Sequence, residues 1–193
     1  MSTTPVSSAP ASVAQPRWIP WVLYPAGDGI AQLILGEVSI PRLLALALVG
    51  GLVYQAETPR WFRWLDQWRI APVTAQKAPW RWLTQPAEAH QAQYRLNWLG
   101  RMLGSMSFFS PPWIMRHMLI LKLSTTHWHG IVLATVIPDL WMAACKSFLT
   151  NLPISIVGNY IIQARLPLQY RFWGSICMSG IMGIAFALAY RFF

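Results

Sequence analysis

Acidic residues are scarce in this chain. Six Asp and Glu stand against 15 Lys and Arg, and charged residues of both signs make up 11% of 193 residues, against about 25% in an ordinary soluble domain. So few carboxylates leave little material for paired-acid chemistry. Cysteine is scarcer still: Cys145 and Cys177 both lie in apolar segments and match no metal or redox spacing. They read as small packing residues. No phosphate-cradling Gly-rich loop, no Gly-x-Ser-x-Gly elbow and no zinc motif occurs. His127-Trp128-His129 offers two imidazoles on one side of an extended stretch, but no third ligand accompanies them. The expectation is a protein with no catalytic residues, no metal site and no cofactor, and therefore not an enzyme.

What is present in excess is apolar surface. Hydrophobic residues form 55% of the chain, and there are 12 Trp, a residue that prefers the membrane–water interface, where its ring is buried and its N–H stays wet. The net charge of +9 would suggest nucleic acid in a soluble protein. Here the basic residues bracket apolar runs, as membrane topology demands, so nucleic acid is not an expected partner and the lipid bilayer is.

The clearest run is Phe172 to Tyr190, 19 residues without a formal charge. At ~1.5 Å per residue it reaches about 28 Å as a helix, close to the ~30 Å hydrocarbon core of a bilayer. Arg171 and Arg191 flank it and are able to snorkel toward headgroups, which makes Arg171 a helix anchor. Ser175, Ser179, Gly183 and Ala187 fall four apart and line one face. Such small-residue ridges let backbones pack closely in lipid. The second span, with Ala47 and Gly51, is the expected partner.

Earlier in the chain, residues 1–16 are Ser, Thr, Pro and Ala without charge, a composition that cannot bury enough to order itself. They read as a disordered N-terminal tail, lacking the arginines of a mitochondrial presequence and the basic start of a signal peptide. Residues 17–193 read as a single transmembrane helical domain. Trp18 to Gly36 is the first span, with Tyr24, Asp28 and Gln32 on one face. A carboxylate near mid-membrane faces the bundle interior or water. It either locks helix packing or lines a pore. A second span runs from Ile40 to Ala56, ending near Gln55 and Glu57.

Residues 58–100 form a long polar segment in which Trp61, Trp64, Leu65 and Trp68 alternate with arginines, the pattern of a helix lying in the headgroup layer. Arg17 belongs on the same side. Met102 to Met115 is 14 uncharged residues, about 21 Å as a helix and too short to span alone. A third span must take in Arg101 or Arg116, and Asp28 is the expected partner of Arg116. Pro111-Pro112 should kink or break that helix. In 123–164 two uncharged runs are separated by Asp139 and Lys146, and Asn151, Pro153, Asn159 and Gln163 make the second run polar. Such a segment suits an interfacial, re-entrant or pore-lining helix, or a fifth span.

Several fragments, in order, resemble the small peroxisomal membrane protein family of the 22-kilodalton type and its Mpv-seventeen-type relatives of the mitochondrial inner membrane. Gly27-Asp28-Gly29-Ile30-Ala31-Gln32 is similar to that family's first-helix motif, and Trp61-Phe62-Arg63-Trp64-Leu65-Asp66 to the motif after its second helix. Arg101-Met102-Leu103 with Phe109-Ser110-Pro111 resembles the start of its third helix. Pro138-Asp139, Pro153, Asn159-Tyr160 and Pro167-Leu168-Gln169-Tyr170-Arg171 resemble its C-terminal signature. Ser105-Met106 stands where the family has Asp-Gln, Leu152 where it has Trp, and Ile156 where Gln is common. The resemblance implies a four-span, multi-pass membrane protein, mitochondrial inner-membrane or peroxisomal in a eukaryote and plasma-membrane in a bacterium. Members are thought to form channels for small solutes.

The fold class expected is an all-α integral membrane protein, a bundle of four or five transmembrane helices with interfacial amphipathic helices. The expected function is a channel or pore for small solutes, with Asp28, Gln32, Gln55, Arg116, Asn159 and Gln163 as pore or polar-stripe residues, because pore walls need groups that replace hydration. The alternative is a structural, non-catalytic subunit of a larger membrane complex. Homo-oligomers or complex subunits would then be its partners.

Overall fold

In a computed structural model of the chain, residues 17–87, 93–125 and 133–190 are described. The N-terminal tail, the His127-Trp128-His129 stretch and Arg191 lie outside them. The first helix, α1 (Ile19–Leu35), begins with Pro20 in its first turn and stops at Gly36, whose φ of 71° only glycine adopts freely. Gly36 N–H then bonds the Leu33 carbonyl and Glu37 N–H that of Gln32, which satisfies carbonyls that a helix end otherwise leaves bare. Three residues after Gly36, Ser39 N–H donates to Gln32 Oε1, and α2 begins.

Helix α2 (Ile40–Gln67) is longer than the sequence indicates, continuing through Trp61 and Trp64. Residues 58–67 are therefore the end of the second helix and not a separate surface helix. Pro59 sits inside it without ending it. A proline removes one N–H and crowds the carbonyl four residues back. A π-helical stretch, Val49–Tyr54, lies just ahead of it and shifts the bonding, so that Gln55 N–H reaches the Gly50 carbonyl.

After α2 come β1 (Arg69–Ile70), α3 (Pro72–Ala75), α4 (Trp80–Leu83), β2 (Thr84–Pro86) and β3 (Tyr94–Leu96). The three strands form an antiparallel sheet in the order β1-β3-β2, with Arg69 opposite Arg95 and Gln85 opposite Arg95 on the other edge. Its strands are only two or three residues long, and the described residues are otherwise mostly helical, which fits the all-α class. Leu65, Ile70, Ala75 and Leu96 form the small core beneath it, with Trp61, Trp68 and Trp80 packed alongside.

Helix α5 spans residues 98–125 and starts at Asn97, whose side chain accepts from Gly100 N–H at 2.9 Å. It neither breaks nor stops at Pro111-Pro112. A π-helical turn at Ser105–Phe109 precedes the prolines, and Ser110 N–H bonds the Ser105 carbonyl, one residue further back than in an α-helix. Helices α6 (Leu133–Thr150) and α7 (Leu152–Arg165) follow, the latter ending in a third π-helical turn before Pro167. They are bent 65° at Asn151. Asn151 Nδ2 returns to the Ser147 carbonyl at 2.9 Å at this break. The last helix is α8 (Leu168–Tyr190).

Polarity is distributed inside out. Asp28, Gln32, Arg42, Ser105, His117, Gln163 and Arg171 are buried, while Leu33, Leu44, Leu52, Phe108 and Leu149 are each about 60–70% exposed (Leu33 71%, Leu52 59%). A soluble monomer rarely exposes so much contiguous apolar surface, whereas lipid accepts it. Among the described residues, two helices are long and apolar enough to cross a membrane, Ile40–Gln67 and Leu168–Leu188. The bent pair of Val136–Thr150 and Leu152–Arg165 makes a third if it is one broken span. The main core joins Tyr24, Tyr54, Trp113, Met118, Leu121, Leu140 and Phe186 from five helices.

Helix α8 packs most extensively on α1, not on α2. Gly27 and Gly180 are the closest approach: a methyl group built on Gly27 would collide with the Gly180 carbonyl. One on Gly183 would lie 3.7 Å from Asp28 N, an ordinary contact. The glycines of α2 serve the α1 side instead, since a side chain on Gly50 would strike Tyr24 and one on Gly51 would strike Trp21. In α8 the four-residue repeat is divided. Gly183 and Ala187 are buried, and Ser175 and Ser179 line a cavity.

Candidate functional site

The cavity lies between α2, α5, α7 and α8 and has a volume of about 70 Å³. Ser105 opens the π-helical turn of α5 and Ser110 directly follows it, Ser155 and Asn159 come from successive turns of α7, and Ser175 and Ser179 from successive turns of α8. Phe62, Trp113, Met182 and Phe186 complete the wall, and no lining residue is ionisable. The polar groups come from helical spacing of four on α7 and α8. On α5, Ser105 and Ser110 are five apart and the π-helical turn lies between them.

Several of these polar groups have protein partners. Asn159 Nδ2 donates to the Ser155 carbonyl at 3.0 Å, and Ser110 Oγ donates to the Ser105 carbonyl at 3.2 Å. Ser105 Oγ accepts from Trp61 Nε1 and from Gln163 Nε2, both at 3.2 Å. Its own proton is donated to no group among the described residues. A hydroxyl so placed holds its lone pairs on protein and can turn its proton toward the cavity.

Behind Ser105 lies a charged cluster. Arg101 donates to the Leu96 carbonyl at 2.9 Å and to the Gln163 carbonyl at 3.0 Å. Arg171 reaches Asp66 Oδ1 at 3.3 Å and the Leu166 carbonyl at 3.2 Å, and Arg101 stands 3.9 Å from the same carboxylate oxygen. Arg171 thus anchors α8 by turning inward to the end of α2, the inward-facing one of the two placements, inward or interfacial, that the sequence allows. The carbonyl bonds help because one carboxylate cannot neutralise two guanidinium groups.

A second polar cluster is separate from the cavity. Asp28 is fully buried and accepts from Gln32 Nε2 at 2.6 Å and from Arg42 Nη2. Gln32 passes the connection on to Ser39 N–H. Asp28 and Gln32 therefore lock α1 to the start of α2 and do not line the cavity. Arg116 is not the partner of Asp28. It pairs with Glu57 at 2.8 Å and lies over the Tyr54 ring at 5.0 Å. Gln55, with its amide nitrogen turned toward them, donates to the carbonyls of Arg17 at 3.1 Å and Gly51 at 2.8 Å, and so ties the start of α1 to the middle of α2.

Of the six residues expected to form a polar path, Asn159 lines the cavity and Gln163 sits behind its wall. Asp28, Gln32, Gln55 and Arg116 are placed elsewhere. Sequence reasoning missed Ser105, Ser110 and Ser155, because isolated serines in apolar runs carry no signal, and it missed Arg42, which lies just inside a helix start. His117 was also passed over as a site residue; it is buried against the Trp113 ring, with centroids 5.4 Å apart, and neither ring nitrogen has a hydrogen-bond partner among the described residues. Among the described residues, no group of three or more His, Cys, Asp or Glu could hold a metal ion. Comparison with protein-family models, with curated proteins and with solved structures finds no match to this chain.

Proposed function

We propose that the chain is a multi-pass membrane protein that forms a channel or pore for small solutes, and that the serine-lined cavity is the middle of its path. The observation that carries this reading is the set of six polar side chains from three helices turned toward one space in a bundle whose outer surface is apolar. Groups of this kind stand in for hydration along a pore, and about 70 Å³ leaves room for several waters. In this reading α1 and α5 join α2 and α8 as spans, and the bent pair α6–α7 lines the path as a broken helix. At 17 residues, α1 reaches about 26 Å. The resemblance to the small peroxisomal and mitochondrial inner-membrane proteins points the same way.

The second reading is a structural subunit of a larger membrane complex. It is favoured by the Arg101–Asp66–Arg171 cluster, which closes the side of the cavity behind Ser105. The two separate in one assay. The full chain is reconstituted into phosphatidylcholine liposomes and release of glycerol is followed. A channel releases it faster than empty liposomes do, and Ser179→Leu or Asn159→Leu, which fill the cavity, slow that release. A rate equal to that of empty liposomes refutes the channel and leaves the structural subunit.

A further inference from the structure

A groove of about 380 Å³ runs between the second half of α2 and the π-helical turn of α5. Trp61, Trp64, Phe108 and Phe109 form its walls, and the rings of Trp64 and Phe108 are 49% and 67% exposed. The Trp61 and Trp64 rings lie tilted against each other at 5.0 Å, and Trp61 stacks on Phe109 at 5.6 Å, so the wall is a continuous aromatic surface. Arg60 stands at the rim, and Arg63, three residues on, shares its helix face. Both are exposed, and neither has an ion-pair partner among the described residues. The acid at the rim, Glu57, is held by Arg116, and Asp66 is engaged by Arg171. The mouth of an aromatic groove therefore carries positive charge that no acid among the described residues neutralises.

We propose that this groove binds an anionic phospholipid, with the glycerol and upper acyl chain against Trp61, Trp64 and Phe108 and the phosphate on Arg60 and Arg63. The charge complementarity selects the occupant. A guanidinium fork matches a phosphate's oxygens, and tryptophan favours the depth at which glycerol and headgroup meet. A zwitterionic lipid would bring its own cation against the two arginines. A basic residue at a helix end also serves topology alone, and that role needs no groove and no choice between lipids.

The test is native mass spectrometry of the detergent-solubilised full chain with phosphatidylglycerol or phosphatidylcholine of identical acyl chains. No solute flux enters the readout, so it stands apart from the channel assay. The wild type should retain phosphatidylglycerol in preference. Arg60→Gln with Arg63→Gln should weaken that retention by about fivefold per arginine, about 25-fold together, while Arg60→Lys keeps most of it. Thermal melting of the variant in detergent checks that it is folded; if it is not, Arg60→Gln alone is read against Arg60→Lys. Lys77→Gln, an exposed basic residue outside the groove, should change retention little. Equal retention of the two lipids, or equal losses for the arginine and Lys77 variants, overturns the proposal. Full displacement of the lipid by millimolar glycerol 3-phosphate also overturns it, because the site would then recognise free phosphate.

Discussion

Replacing Arg42 with methionine removes one half of the Asp28–Arg42 pair and leaves a fully buried carboxylate with only the Gln32 amide. Breaking a buried pair from one side costs about 3–5 kcal/mol. Asp28→Ala should cost a similar amount, because it strips an acceptor from both Gln32 and Arg42. Asp28→Asn should cost less, about 1–3 kcal/mol, since it keeps an acceptor and Arg42 lies in the first turn of α2, 10% exposed at its side chain. The double variant Asp28→Leu with Arg42→Met replaces the pair by apolar groups and should recover most of the loss. The measurement is equilibrium unfolding in mixed SDS–maltoside micelles, followed by tryptophan fluorescence. A coupling energy of about 2 kcal/mol or more between the two positions is expected. Single variants within about 0.5 kcal/mol of the wild type, or strictly additive losses, would show that the pair does not hold α1 to α2.

Gly27→Ala should lose about 1–3 kcal/mol, because its methyl group meets the backbone carbonyl of Gly180, which has no rotamer to move. Gly183→Ala, with its nearest neighbour at 3.7 Å, should be neutral, and Gly183→Leu should disrupt assembly; size-exclusion profiles after extraction compare the three. Asp66→Asn keeps an acceptor oxygen but removes the one carboxylate that Arg171 and Arg101 share, and a loss of about 2 kcal/mol in the same micelle titration is expected, reduced by the 28% exposure of the Asp66 side chain. Cysteines introduced at positions 10 and 77 should label from the same side of the membrane, since the start of α1 is tied to Gln55 near the second half of α2. Opposite accessibility would overturn that topology.

Much of the helical layout was legible in the sequence, because apolarity, run length and end signals act locally. The spacing around Asp28 and Gln32, the proline after Ile40 and the uncharged run after Arg171 place α1, the start of α2 and α8 where the structure has them. The course of the chain at Pro59 and at Pro111-Pro112 was not legible, because a proline normally ends a helix. At both places a π-helical stretch lies ahead of the proline, and no local residue pattern announces that shift of bonding; Pro25 and Pro138 lie inside helices without one.

Partner choice was decided by the tertiary structure alone. The sequence suggested Arg116 for Asp28 and carried no sign of Arg42, because nothing in sequence separation ranks Arg42, Arg101, Arg116 and Arg171 as partners of Asp28 or Asp66. The fold ranks them by proximity. Close packing of Gly27 on Gly180 brings α8 onto α1, the Gly36 turn returns α2 so that Arg42 meets Asp28, and Arg116 and Arg171 are left to Glu57 and Asp66. The cavity arises in the same way. Its serines are single residues on three helices, and they form a site only because the backbone geometry of α5, α7 and α8 turns them toward one space.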